Sequence, residues 1–275
     1  MKFKLTFILF SLTLFLFLLI LIFLPVFFLG SSYSLSYWRT NWPLLFIWVC
    51  LFSGFIVFYF TNKQLFLLLE KEDWPALVIY LEDRVIKKGR YSSRLVRLLA
   101  SSYLILSDTA AVISLENKTA IARPALVNAN ALLFGTAYIL GKDVAGAVRF
   151  FQTRKYTVKK KQRDWVCWYL GFSFLLDYKF QDAINEFSVL AGKSKDPVVT
   201  ALSSFFLSET MARVLPGEEE ELKKISQEGR ERVSLVMPKL ENWQKRISAL
   251  SREIHVVIIS KYIDGTGRWL YGVDG

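Results

Sequence analysis

The sequence predicts an all-α chain: an N-terminal transmembrane helical hairpin, then an α-solenoid of paired helices, then a C-terminal capping helical region. Three observations carry this. Two long apolar runs, separated by the single charge of Arg39, fill most of residues 5–60. One set of small and large residues recurs every 35–36 positions further on. No segment alternates apolar and polar residues as a half-buried strand would. The expected boundaries are 1–61 for the hairpin, 62–216 for the repeats and 217–275 for the cap.

The hairpin follows from charge and length. Between Leu5 and Trp38 no residue is charged, and "TFILFSLTLFLFLLILIFLPVFFL" supplies enough apolar residues to cross a hydrocarbon core of about 30 Å. A second run, "PLLFIWVCLFSGFIVFYF", ends at Phe60 and is flanked by Trp38, Trp42 and Tyr59, which suit a bilayer interface. The first run exceeds the roughly 7–15 residues of a cleaved signal core, so it reads as a span. "GSSYSLSYWRTNWP" is the expected loop between the two. Lys2 and Lys4 precede the first span, while Lys63 and Lys71 follow the second. That asymmetry puts the amino end and the large domain in the cytoplasm. Three of the 35 Lys and Arg lie before residue 62, which leaves 32 against 24 acids, a domain charge of about +8. Such charge suits an anionic leaflet. It argues less for nucleic acid, because no recognised module interleaves these bases with aromatics.

The repeat is anchored on Gly171. Phe174, Ala183 and Phe187 stand 3, 12 and 16 residues after it. Gly135 has Tyr138, Ala147 and Phe151 at the same offsets. Ala100 is followed by Tyr103, then by Ala111 and Leu115 one place early, as a deletion in the turn would give. Gln64 is followed by Leu67, Ala76 and Tyr80. A period of this size marks stacked supersecondary units. Each is read as two antiparallel helices joined by a tight turn, with small residues where they cross and large ones around the crossing. Asp73 is the expected N-cap of "WPALVIY", and Pro75 falls in its first turn, where a missing N–H costs nothing. A fifth first helix, "PVVTALSSFFLSETMARVL", is expected to stop at Pro216-Gly217 without a partner.

These residues resemble the tetratricopeptide (TPR) repeat: small, aromatic, alanine and aromatic at its eighth, eleventh, twentieth and twenty-fourth positions. The resemblance covers residues 62–215 and is strongest around Gly171 and Gly135. Of the family's terminal prolines only Pro197 and Pro124 have approximate counterparts. Two spans followed directly by such repeats are similar in layout to HemY-type bacterial inner-membrane proteins. That likeness is one of architecture, and no haem-pathway role is carried across.

After Gly217 the composition changes. "EEEELKKISQEGRERVSLV" reads as a charged helix with acids in its first turns, as the helix dipole favours. "KLENWQKRISALSREIHVVIISKYI" reads as a second, continuous helix with Trp243, Ile247, Leu250, Ile254, Val257 and Ile258 at helical spacing. Capping the last repeat is the expected role, and a coiled-coil contact with another chain is the alternative.

No constellation for chemistry stands out. His255 is the sole histidine, on the edge of an apolar stripe, without a Cys or Ser partner. "AGKSK" lacks the leading glycine of a phosphate loop. Glu218–Glu221 reads as a solvated helix start. Cys50 and Cys167 have no metal or disulfide spacing and are expected to be buried thiols. The expectation is therefore a binding protein without catalytic residues, cofactor or metal.

In the TPR family ligands lie in a concave groove lined by first helices. The resemblance then implies Arg97, Leu132 and Trp168 in one column and Ser101, Thr136 and Phe172 in another, with Arg94 and Trp165 one turn earlier. Arginine and tryptophan are favoured interface anchors, and this set would suit a protein or peptide with an apolar stretch and an acidic group. The alternative is that Trp165 and Trp168 pack between repeats. Lys159, Lys160, Lys161 and Arg163 offer a contact for anionic lipid. Two functions remain: a membrane-anchored scaffold that recruits a partner at the cytoplasmic face, or an accessory subunit whose repeats serve as a docking arm.

Overall fold

A computed structural model describes residues 2–215 and 217–272. Among these residues there are fifteen α-helices and no strand. The chain divides into two compact units, residues 1–80 and 81–275.

In the first unit, α1 (Lys2–Glu70) is interrupted by non-helical residues at Gly30 (φ 79°) and Asn41. The positive φ at Gly30 is open to glycine without strain. Two stretches, Leu5–Phe28 and Ser36–Glu70, are long and apolar enough to cross a membrane. They pair antiparallel through aromatic rings. Phe7 stacks on Tyr59 with centroids 3.6 Å apart, Phe10 meets Phe55 at 5.0 Å, and Phe17 meets Trp48 at 5.3 Å. Trp38 Nε1 donates to the Ile22 carbonyl at 3.3 Å. Two expectations change here. The loop of residues 30–43 is mostly helical, turned at Gly30, and Cys50 is exposed rather than buried. The second apolar helix also runs on to Glu70, past the boundary expected at residue 61, and the compact unit ends at Tyr80. α2 (Trp74–Glu82) follows, with a π-helical turn over Asp83–Lys87.

The second unit holds α3 (Ser93–Ile105), α4 (Thr109–Ala122), α5 (Pro124–Ala129), α6 (Ala131–Leu140), α7 (Val144–Arg154), α8 (Lys160–Leu176), α9 (Phe180–Lys193) and α10 (Pro197–Phe206). A π turn, Leu207–Met211, and α11 (Ala212–Val214) continue from α10; the stop expected at Pro216 lies outside the described residues. Then come α12 (Glu219–Val236), α13 (Leu240–Leu250), α14 (Ile254–Ile258) and α15 (Ser260–Tyr271).

A common turn recurs along the chain. Among the described residues, Glu72, Ser107, Lys142 and Tyr178 are the non-glycine residues with positive φ, at 54–61°. They stand 35, 35 and 36 residues apart, each the middle of a three-residue turn. In every case the next residue's N–H returns to a carbonyl five back: Asp73 to Leu68, Asp108 to Tyr103, Asp143 to Tyr138 and Lys179 to Phe174, at 2.9–3.1 Å. This 6→1 bond with a left-handed residue closes a helix C-terminus by satisfying its last carbonyls. The aspartates then open the following helix. Asp108 and Asp143 side chains accept from Ala111 and Gly146 N–H at 2.9 Å, and Asp73 caps through Ala76 N–H at 3.2 Å, as expected.

This geometry corrects the register at two units. The turn falls seven residues after Ala100, Gly135 and Gly171 alike, so no deletion separates them. The counterpart of Ala147 and Ala183 is then Val112, which is fully buried, and not Ala111. The first unit anchors on Leu65 in place of Gln64, and it buries Leu68, Leu77 and Leu81 where Leu67, Ala76 and Tyr80 were expected.

The close crossings are where glycine stands. A Cβ on Gly135 would run into the Phe151 ring, and one on Gly171 would lie 2.9 Å from Phe187 Cε1. The aromatic of the second helix thus lies directly over the glycine of the first. The fifth first helix has a partner after all. α12 packs on α9 and α10, with Gly229 against Ser204 and with Ser226 Oγ donating to the Ser204 carbonyl at 2.7 Å. Arg232 Nη2 donates to the Ser194 carbonyl at 2.9 Å and Nη1 to that of Ala191, which covers the end of α9. The expected continuous last helix is instead three: it breaks at Ser251–Glu253, and α15 returns across α13 with Gly267 against Trp243.

Candidate functional site

The first helices α3, α6, α8 and α10 form one layer, each touching the next. The face on which a ligand was expected is occupied by the chain itself. α14 lies on α6, and α15 lies on α10.

His255 lies at the centre of this contact. Its ring packs edge-on against Trp165 at 5.0 Å and Tyr169 at 5.8 Å, and its carbonyl accepts from Tyr169 Oη at 2.7 Å. Burial, with a smaller push from the Arg97 charge, lowers the imidazole pKa to about 4. The ring is therefore neutral at pH 7, and its Nδ1 is buried without a hydrogen-bond partner. Upstream, Glu253 faces Arg97 at 3.9 Å with both side chains about half exposed. Arg97 Nε also donates to Asn130 Oδ1 at 3.4 Å. Downstream, Tyr262, 38% exposed, packs on both Phe172 at 5.5 Å and Phe206 at 5.2 Å, which touch each other at 5.8 Å, and Trp269 meets Phe205 at 6.1 Å. Arg230 holds the far end, donating to the Leu270 carbonyl at 2.8 Å beneath its cation–π contact with Trp269.

Of the residues expected to line an open groove, two stay open and most of the rest are covered. Arg94 and Arg97 are exposed, and Ser101 is half-buried. Leu132 is buried on α6, the helix that α14 covers. Thr136 is fully buried and bonds back to the Leu132 carbonyl at 2.9 Å, so its hydroxyl is used within its own helix. Trp165 is buried between His255 and the Asp196 carboxylate, to which its Nε1 donates at 3.2 Å. Phe172 is covered by Tyr262. Trp168 is fully buried, stacked on Phe172 and ringed by Tyr169, Phe187 and Phe206, so it belongs to the core between helix pairs. Lys159, Lys160 and Lys161 are exposed at the start of α8, Arg163 is half-buried, and Tyr156 beside them is 76% exposed.

Sequence reasoning passed over Tyr169, Glu253 and Tyr262. The signal for the last two lay in Val256, Ile259, Ile263 and Leu270, whose spacing of three to seven continues one apolar face beyond Ile258. Among the described residues no group of three or more His, Cys, Asp or Glu could hold a metal. Burial lifts the Cys167 thiol to about 11, which keeps it protonated and unreactive.

Two comparisons bear on this architecture. A protein of Treponema pallidum (strain Nichols), described only as "Uncharacterized protein", is 32% identical over 172 residues. The match takes in 62% of this chain and 54% of that protein, so the chain aligns with about half the length of its relative. A family model described as "Uncharacterised Treponema protein" matches residues 111–272. Its reach takes in α6, α8 and α10 together with the α14–α15 segment lying on them, and begins after Arg94, Arg97 and Ser101. With more than half of its length matched, the chain belongs to this Treponema family.

Proposed function

We propose that the chain is a membrane-anchored, TPR-like scaffold that recruits a protein partner at the cytoplasmic face of a bacterial inner membrane. The observation that carries the reading is the common left-handed turn at Glu72, Ser107, Lys142 and Tyr178 with its 35–36-residue spacing. Stacked helix pairs of one design give an extended face built from many first helices, a surface suited to recognition. The two apolar helices supply the anchor. The lysines at positions 2, 4, 63 and 71 against the lone Arg39 favour a cytoplasmic second unit. Exposed Lys159, Lys160 and Lys161 supply charge for contact with anionic headgroups in the same arrangement. Arg94 and Arg97 are the expected partner contacts that stay open to solvent, and they favour an acidic segment.

The test is co-purification from gently solubilised membranes. Full-length chain, a chain without residues 1–61, and an Arg94→Glu/Arg97→Glu chain are compared by mass spectrometry. A partner kept without the hairpin and lost on charge reversal supports the scaffold. A partner lost with the hairpin alone points to an accessory subunit held through its spans.

A further inference from the structure

The contacts that hold α14 and α15 are of two kinds. Tyr169 and Arg230 donate to main-chain carbonyls, of His255 and Leu270. A carbonyl acceptor is present whatever the side chain, so these two bonds would hold another helix as well. Side-chain identity is read at two other places, where Arg97 faces Glu253 and where Tyr262 packs on the paired rings of Phe172 and Phe206. The fit is incomplete. His255 Nδ1 is buried in this contact without a partner, and such an orphaned group weakens it. The segment is also one-faced. Val256, Ile259, Ile263 and Leu270 are buried, whereas Val257, Lys261, Asp264 and Arg268 are exposed. An exposed turn, Ser251–Glu253, is its link to α13.

From this geometry we infer that the face of α6, α8 and α10 is a receptor for an amphipathic helical segment bent once, and that Ile254–Tyr271 is a displaceable occupant supplied by the chain itself. The partner that fits is a protein segment of the same bent form, two short helical stretches either side of a break like that at Ile259, with an acidic residue just before the first stretch and an aromatic residue at the third position of the second, as Glu253 and Tyr262 stand. The acid meets the Arg94–Arg97 end, and the aromatic packs on the paired Phe172 and Phe206 rings. In the partner's absence the segment covers Trp165, Tyr169, Phe172 and Phe206, which would otherwise form an exposed apolar patch. The inference deepens the scaffold reading and rests on it only in taking the chain for a binding protein.

The experiment uses the full chain in detergent, with a specific protease site placed in the Ser251–Glu253 turn. After cutting, a fluorescent peptide of residues 251–272 is added, and its anisotropy and the helical content are followed. The expected result is exchange of the cut segment for the labelled peptide while helical content holds. A Tyr262→Ala peptide should bind about tenfold more weakly, through loss of two ring contacts. A Glu253→Lys peptide should bind about threefold more weakly, a difference that disappears in high salt. Unfolding or aggregation when the segment leaves would show it to be core and overturn the inference, as would a cut segment that never exchanges. A stable dimer with the segment swapped between copies would make a second copy the occupant and overturn the choice of partner. No cellular partner is needed, so failed exchange leaves the co-purification test standing, and the reverse also holds.

Discussion

His255 shows how one buried residue ties the closed groove to pH. Its ring meets Trp165 and Tyr169 from α8 and feels the charge of Arg97 from α3, which itself faces Glu253. Folded, it takes a proton only near pH 4, whereas an unfolded chain takes one near 6.5. Between those values the unfolded state binds more protons, so the contribution is complete above about pH 6.5 and is lost as pH falls toward 4. A shift of this size corresponds to about 3 kcal/mol at neutral pH. Thermal melts of the full chain at pH 7 and pH 4.5 should show a larger loss for wild type than for His255→Leu; parallel losses would mean that the ring is solvated. Trp168 belongs to the same scale. Replacing it with alanine should cost about 3–5 kcal/mol of stability, as expected of a lost core aromatic. A melting point within a degree of wild type would contradict its place beneath Phe172 and Phe206. Its burial was open as one of two readings from sequence. Tyr169 was not seen, because two residues before each reference position stand Leu98, Leu133 and Tyr169, a set that shows no common polar role.

Helix pairs with glycine at the crossing were readable in advance, because Gly135 and Gly171 flag a place where Phe151 and Phe187 need the room. The Ala100 and Gln64 units slipped by one residue for a physical reason. Alignment followed alanine, while the feature shared by all four turns is a left-handed backbone carried by Glu72, Ser107, Lys142 and Tyr178. No glycine marks it, and four different side chains conceal it. The break at Ser251–Glu253 was missed likewise, since neither Gly nor Pro announces it. Two outcomes follow at this scale. Gly135→Ala should destabilise despite a helix-propensity gain of roughly 1 kcal/mol, because overpacking costs about 1–3 kcal/mol. Gly171→Ala should cost less, since its Cβ would sit 2.9 Å from the edge of a ring and not inside one. Equal and favourable effects would remove the crossing argument. Tyr178, 81% exposed with φ 59°, gains nothing from burial and holds a conformation that glycine adopts freely. Tyr178→Gly should therefore raise the melting temperature, by an amount equivalent to about 0.5–1 kcal/mol; a drop would show that the tyrosine side chain has a stabilising role.

For the whole molecule, the all-α class and the apolar hairpin were plain from composition and charge. The occupant of the groove was not, because it depends on residues some 90 to 160 positions apart coming together, as Tyr169 with His255 and Arg97 with Glu253 do. The proposed topology makes its own claim. In a Cys50→Ala chain, cysteine placed at Thr40 should react with an impermeant thiol reagent in intact cells, and cysteine at exposed Gln227 should not. Labelling at Gln227 alone would reverse the orientation. The central claim is that α14 and α15 occupy a receptor face and can leave it while the helix pairs stay folded. Native-state hydrogen exchange on the full chain tests this most directly, because it measures the opening free energy of each segment separately. The account expects amides of Ile254–Tyr271 to exchange through a partial opening, at lower free energy than those of α8 and α9; protection equal to that of α8 and α9, lost only on global unfolding, would contradict it.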